Sequence, residues 1–207
     1  MERNRILLLD MYGVIIKESK GYFIPYTYEH FPETEYDKIT KIFRQDKSFT
    51  KAQLGEITSD EFLGMFGYED TKETMRDYLK NHLTLDEQFT DFAEKYSVQM
   101  EFNLLSNDVS EWSEFLTEYH QLNSYFSDKI VSGDVAMRKP DKNIFLHTIE
   151  RLKCKPEDCI FVDNSVKNLL VAEEVGMQTV LFDRDGEEYD GIVVNDFREL
   201  GMYLESV

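Results

Sequence analysis

The 207 residues can fold as one sizeable α/β domain or as a core domain with a smaller insert, and 42% hydrophobic and 14% aromatic residues point to a packed core rather than disorder. A formal net charge of −18 disfavours nucleic acid and anionic membrane surfaces as partners. Salt screens that field beyond roughly 8 Å, so a phosphorylated small molecule remains compatible with it.

The first predicted element is a strand over Ile6 to Leu9, a continuous apolar run that stops at Asp10 and is broken by Gly13. Such a run fits a strand buried on both faces, as in a parallel sheet. It is too short for a signal peptide or a membrane span, and no later run is long enough, so the chain is expected to be soluble and cytoplasmic. From about Ser19 to Asp86 no buried-strand run occurs. Apolar spacing there predicts helices over Tyr36 to Phe43, Ser59 to Phe66 and Thr71 to Leu79, with Thr58 or Ser59 capping the second. Tyr22, Phe23, Tyr26 and Tyr28 precede them, and either line the mouth of a site or pack helices onto the core.

Strand-like runs then return at Phe102 to Leu105, more weakly at Lys129 to Val131, and at Cys159 to Val162 and Thr179 to Phe182. Each ends in polar residues: Ser106-Asn107-Asp108, Ser132-Gly133-Asp134, Asp163-Asn164-Ser165 and Asp183. Helical spacing over Glu111 to Tyr119, Lys142 to Leu152 and Val166 to Val175 separates them, with Gly176 as a C-terminal stop. Cys154 and Cys159 form neither a disulfide framework nor a zinc site, and are expected to be small buried apolar residues. Asp183-Arg184-Asp185-Gly186 is expected to be a loop without assignable chemistry.

Strands alternating with helices predict right-handed crossovers and a doubly wound parallel sheet, in which ligands bind beyond the carboxyl ends of the strands. The expected division is an α/β core over 1–18 and 87–207, with an all-helical insert over 19–86 lying across the strand ends. Asp10, Ser106, Lys139 and Asp163 then stand at or just past strand ends. Each alone has an ordinary explanation, as a turn residue, a cap or a solvated charge. Together they suit covalent catalysis. Asp10 would attack phosphorus or carbon, and Lys139 would hold the nucleophile and the transferring group. Ser106 and the backbone of Asn107 would donate to an anionic oxygen, and Asp163 would help bind Mg²⁺.

Four segments in order resemble the motifs of the haloacid dehalogenase superfamily. They are Leu8-Leu9-Asp10-Met11-Tyr12-Gly13-Val14-Ile15, Leu104-Leu105-Ser106-Asn107, Arg138-Lys139-Pro140-Asp141, and Ile160-Phe161-Val162-Asp163-Asn164-Ser165 followed by Asn168. The resemblance covers nearly the whole chain. It implies a Rossmann-like core with a helical cap, and a Mg²⁺-dependent phosphatase acting on a small phosphorylated metabolite through an aspartyl-phosphate. It implies metal ligation by Asp10, the Tyr12 carbonyl, Asp163 and Asn164, and substrate contacts from Ser106, Asn107 and Lys139.

Two positions depart from the phosphatase pattern. Tyr12 stands where the family's phosphatases carry a second Asp for acid–base work, and a phenol with a pKa of about 10 is a poor base at neutral pH. Losing that help costs about 10²- to 10⁴-fold in rate. Asn164 stands where a second acid usually contacts the metal, so Mg²⁺ binding is expected to weaken. Asp10-Met11-Tyr12-Gly13 also matches the first motif of the 2-haloacid dehalogenases, which use a cap arginine, and Arg44 lies in the corresponding region. The alternatives are therefore a dehalogenase-like hydrolase, or a catalytically weakened binding protein. The oligomeric state is left open.

Overall fold

The structure, a computed structural model, describes residues 5–19 and 22–207. Residues 1–4, 20 and 21, which the expected core and insert ranges include, lie outside the described residues. Six parallel strands form one sheet in the order β3-β2-β1-β4-β5-β6. β1 (Ile6–Leu9) is central, flanked by β2 (Glu101–Ser106) and β4 (Cys159–Asp163), with β3 (Asp128–Val131), β5 (Gln178–Phe182) and β6 (Ile192–Val194) outside them. The strand order reverses at β1, and in such sheets the crevice at the reversal is where ligands bind.

The continuous apolar runs are explained by burial on both faces of the sheet. Leu7 and Leu9 pack with Phe102, Leu104, Ile160 and Val162 on one side. Ile6 and Leu8 pack with Leu105, Ile130, Phe161 and Leu181 on the other. Successive side chains of a strand point to opposite faces, so polar residues enter only where the strand leaves the sheet.

Between β1 and β2 the chain is helical. α1 (Phe23–His30), α2 (Tyr36–Thr40), α3 (Ser48–Gln53), α4 (Ser59–Phe66) and α5 (Thr71–Asn81) precede α6 (Phe89–Tyr96). α2 continues as a wider π turn over Lys41–Gln45, where the sequence predicts regular helix to Phe43. Thr58 caps α4 as expected: its hydroxyl accepts from Glu61 N at 3.1 Å, while the Glu61 carboxylate accepts from Thr58 N at 2.8 Å. The chain leaves and re-enters the sheet layer side by side. Asp86 N donates to Ile15 O and Lys17 N to Thr84 O, both at 2.9 Å, around an antiparallel bridge between Ile16 and Leu85.

The remaining helices are α7 (Ser110–Tyr119), α8 (Ser132–Val135), α9 (Lys142–Leu152), α10 (Val166–Val175) and α11 (Phe197–Ser206). α7 anchors the helical segment. Trp112 is fully buried, donates to Ser59 Oγ at 2.7 Å, and meets Phe23 at a ring-centroid distance of 5.0 Å. Phe23 also meets Tyr78 at 5.0 Å and Phe62 at 5.5 Å. Phe23 and Tyr26 of the early aromatic cluster are therefore packing residues, and Tyr28 packs edge-on against Tyr36. Tyr22 remains 43% exposed. Among the described residues no helix is long and apolar enough to cross a membrane.

Candidate active site

The register places Asp10 one residue beyond the pairs Leu9–Leu104 and Leu9–Val162, at the C-terminal mouth of the sheet. Its backbone N–H still donates to Val162 O at 3.0 Å, so the sheet fixes where the carboxylate starts. Met11 N donates to Asp10 Oδ1 at 2.8 Å, and Lys139 Nζ lies 2.8 Å from the same oxygen. Oδ2 accepts no hydrogen bond from any described residue. Burial pushes the Asp10 carboxyl up to about 7, against the opposing pull of Lys139.

Lys139 is 1% exposed. Its ammonium donates to Leu105 O at 2.7 Å and Asp163 Oδ2 at 2.7 Å as well as meeting Asp10. An ammonium has three N–H donors, so the protein itself occupies all of them. Burial works against the charge, but Asp10 and Asp163 more than offset it, and the Lys139 pKa lies above its ordinary value. The expected contact of Lys139 with Asp10 is present.

Asp163 closes β4 and is completely buried. Ser165 N donates to its Oδ1 at 2.7 Å, and Asn168 Nδ2 lies 3.1 and 3.0 Å from its two oxygens. It stands behind Lys139 rather than among the residues lining the cavity. Asn107 lines the cavity, and beside the donation expected of its backbone its side chain has a structural task. Its side chain accepts from Lys139 N and donates to Lys139 O, both at 2.8 Å, which pins the Lys139 loop to the end of β2. Its carbonyl accepts from Gln53 of α3 at 3.1 Å. Ser106 is fully buried, its hydroxyl has no hydrogen-bond partner among the described residues, and it does not line the cavity.

Tyr12 turns its hydroxyl onto both oxygens of Asp108, at 3.1 Å each. Burial first, then the adjacent Asp108, hold the phenol well above its ordinary pKa. Burial also raises Asp108 well above the usual carboxylate range, with the Val109 N–H and the Tyr12 hydroxyl pulling the other way. Tyr12 is thus a protonated donor. Asp108 had no assigned role in the sequence, where its only signal is its place directly after Ser106-Asn107.

These groups open into a cavity of about 260 Å³. Asp10, Tyr12, Asn107, Lys139 and Asn164 line it from the sheet side, and Tyr22, Phe49, Gln53 and Tyr78 from the helical segment. Arg138 also faces it. Arg44 does not: it is exposed on the π turn after α2. Asn164 packs against Gly13, where a Cβ would come 2.2 Å from its side-chain nitrogen and where φ is +79°. A side chain at this position would be both strained and obstructed.

Among the described residues no three His, Cys, Asp or Glu side chains converge as a metal cage. Asp10 and Asn164 both line that cavity, and a carboxylate and an amide make a hard-oxygen set with a single negative charge. Mg²⁺ is compatible with it, because that ion keeps several waters and takes only one or two carboxylates.

The loop that seemed to lack chemistry braces the site. Arg184 donates to Gly13 O at 3.0 Å and Val14 O at 2.9 Å, and pairs with buried Asp86 at 2.6 Å. It therefore ties the turn after Asp10 to the point where the chain returns from the helical segment. Arg184→Leu is expected to lower stability by about 3 kcal/mol, because it strands the Asp86 carboxylate. Denaturant unfolding at neutral pH measures this, and an unchanged midpoint would refute the bracing role.

A carboxylate held by a lysine beyond the carboxyl ends of a parallel α/β sheet, at the reversal of strand order, stands where such sheets bind their ligands. The haloacid dehalogenase-like hydrolase family matches residues 5–176, and the chain belongs to that family. The D-ribitol-5-phosphate phosphatase of Bacteroides thetaiotaomicron is 28% identical over 158 residues, covering 71% of this chain and 75% of that protein. The phosphoglycolate phosphatase of Aquifex aeolicus is 25% identical over 189 residues, covering 86% of this chain and 84% of that protein, whereas several other matches are local. The drimenol cyclase drtB of Aspergillus calidoustus is 33% identical over 88 residues, 42% of this chain, and the chain spans only 14% of it. The fold superposes on a HAD family enzyme from Bacteroides thetaiotaomicron, crystallised with magnesium and inorganic phosphate. The TM-score is 0.74 at 23% identity, covering 91% of this chain and 98% of that one.

Proposed function

We propose that this hydrolase is a Mg²⁺-dependent phosphatase that cleaves a small phosphate monoester through an aspartyl-phosphate on Asp10. The observation that carries this reading is the state of Asp10. One oxygen is anchored by Lys139 and Met11 N, while the other is uncommitted at the wall of the cavity. The similarity to a sugar-alcohol phosphate phosphatase supports a phosphorylated metabolite as substrate.

In this scheme Asp10 Oδ2 attacks phosphorus while the bond to the leaving oxygen breaks and that oxygen takes a proton from bound water, giving the free alcohol, hydroxide and an aspartyl-phosphate. Water then attacks the same phosphorus, passing a proton to that hydroxide, the bond to Oδ2 breaks, and phosphate leaves with the carboxylate restored. Asp10, the Tyr12 carbonyl and Asn164 would hold the metal, which supplies Lewis-acid neutralisation of phosphate charge. Asn107 and Asp163 act one step back, holding the loop and the ammonium of Lys139. Tyr12 keeps its proton on the hydroxyl facing Asp108, so it offers a hydrogen bond and no base. Slow turnover follows. The helical segment over 19–86 would act as a cap, hinged where Ile15–Lys17 runs beside Thr84–Asp86.

The test is hydrolysis of a panel of phosphate monoesters and a 2-haloacid, each with Mg²⁺ and with EDTA. Phosphate release is expected with Mg²⁺ and is expected to fall to background in EDTA. Halide release indifferent to EDTA would replace this reading with dehalogenation. Silence from folded protein on both classes would favour a binding protein.

A further inference from the structure

We infer that Arg138 forms a second anion subsite in the nucleophile's cavity, one that takes a carboxylate or a second phosphate on the leaving alcohol of the substrate. The inference rests on the phosphatase reading and narrows its substrate class to phosphate monoesters whose alcohol is itself anionic. The phosphoryl group under transfer belongs elsewhere in the cavity, with Asp10, Lys139 and the metal.

Four charged side chains among the described residues line that cavity: Asp10, Glu18, Arg138 and Lys139. Three of them are engaged. Lys139 lies between Asp10 and Asp163, at 2.8 and 2.7 Å. Glu18 accepts from Thr84 N at 2.7 Å, at the crossing into the helical segment. Arg138 is half-buried, and its Nε is shielded from solvent without a hydrogen bond. No described carboxylate forms an ion pair with its guanidinium, although the chain carries 41 acidic residues against 23 basic ones. A desolvated charge without a partner is costly, so this arginine is kept for an anion from outside.

The guanidinium also stands apart from the nucleophile. An opposite charge within roughly 4–6 Å holds an ionised group in its charged form. Burial alone acts on Arg138, lowering its pKa, and neither Asp10 nor Glu18 pulls it back up. The cation that pulls on Asp10 is Lys139. Arg138 therefore faces the part of the cavity that the leaving alcohol fills. The walls there from the helical segment, Tyr22, Phe49, Gln53, Tyr78 and Leu83, are uncharged, so an anion on the alcohol finds its counter-charge at Arg138. A net charge of −18 repels a polyanion, which makes a local cation necessary. A guanidinium meets that need with a planar fork of N–H donors matched to carboxylate or phosphate oxygens.

The experiment measures kcat and KM in Mg²⁺ buffer for two matched pairs of monoesters. One sets 3-phosphoglycerate, with its carboxylate, against glycerol-3-phosphate, with a hydroxymethyl in its place. The other sets ribulose-1,5-bisphosphate against ribulose-5-phosphate. Wild type should favour the anionic member of one pair by about 10- to 100-fold in kcat/KM, the effect of a charged hydrogen bond. Which pair responds distinguishes a carboxylate subsite from a phosphate subsite. Arg138→Gln should remove the preference, through KM rather than kcat. Arg138→Lys should retain part of it, because it keeps the charge and loses the fork. Calorimetry of Asp10→Asn protein with the favoured ester, with and without Arg138→Gln, should read the same loss as an affinity. Without ligand, Arg138→Gln should melt no lower than wild type, which a structural arginine would not allow.

An equal loss on both members of a pair in Arg138→Gln would overturn the assignment while leaving the phosphatase reading intact. So would a wild type that prefers neither anionic ester. Folded wild type that hydrolyses no phosphate monoester at all would overturn the phosphatase reading, and the inference with it.

Discussion

Asp10→Asn is expected to abolish turnover, lowering kcat by about 10⁴- to 10⁶-fold on any substrate the wild type hydrolyses. The amide matches the carboxylate in shape but cannot form the ester to phosphorus. The surrounding structure should survive, because Lys139 keeps Asp163 Oδ2 and the Leu105 carbonyl as partners. Removing a carboxylate that burial pushes up to about 7 also relieves a desolvated charge. Loss of activity with a retained melting transition is therefore the signature. Mass spectrometry of acid-quenched wild type should show a phosphoryl adduct that the variant lacks. Full turnover by Asp10→Asn would exclude the covalent mechanism.

Lys139→Met should produce the second large effect, this time on the fold as well as on activity. The substitution keeps an unbranched side chain one atom shorter and removes the cation between two buried carboxylates. Breaking such a pair from one side costs about 3–5 kcal/mol. The loss should depend on pH in a definite direction. Without the ammonium, burial and Asp163 both still raise Asp10, and Lys139 no longer opposes them. A carboxyl whose folded pKa exceeds its unfolded value binds more protons in the native state, so stability falls as pH rises above about 4. The deficit relative to wild type should be nearly level up to about pH 7, where wild-type Asp10 itself ionises, and grow above it. Urea unfolding in EDTA at several pH values measures it. A deficit that shrank on raising the pH would show that Lys139 does not serve these two carboxylates.

The difference between what was legible and what was not follows the range of the interactions involved. β1, β2, β4 and β5 announced themselves because a strand buried on both faces must be apolar at every position. β6 did not, since Ile192 and Val193 are about two-fifths exposed and the strand spans three residues. α6 carries Phe89, Phe92, Ala93 and Tyr96 at helical spacing, a local signal that could have found it. α1 was obscured because its aromatics fitted a cavity mouth as well as a core. Trp112, 89 positions after Phe23, makes that cluster a core.

The candidate site divides the same way. The sequence by itself determined that Asp10, Ser106 and Asp163 stand at strand ends, because a parallel sheet admits polar residues only where its strands stop. It also determined Lys139 as a candidate through its motif. Only the tertiary structure decided what those groups can do. Lys139 is saturated by partners 24 to 129 positions away, Asp163 lies behind it, and the Asn107 side chain holds a backbone rather than a ligand. Arg44 is exposed, while Arg138 faces the cavity and Arg184 reaches back across about 170 residues to the turn after Asp10. A residue's own neighbours in the chain set its secondary structure. The occupancy of its donors and acceptors, and with it the chemistry left over, is set by groups that only folding brings within 3 Å.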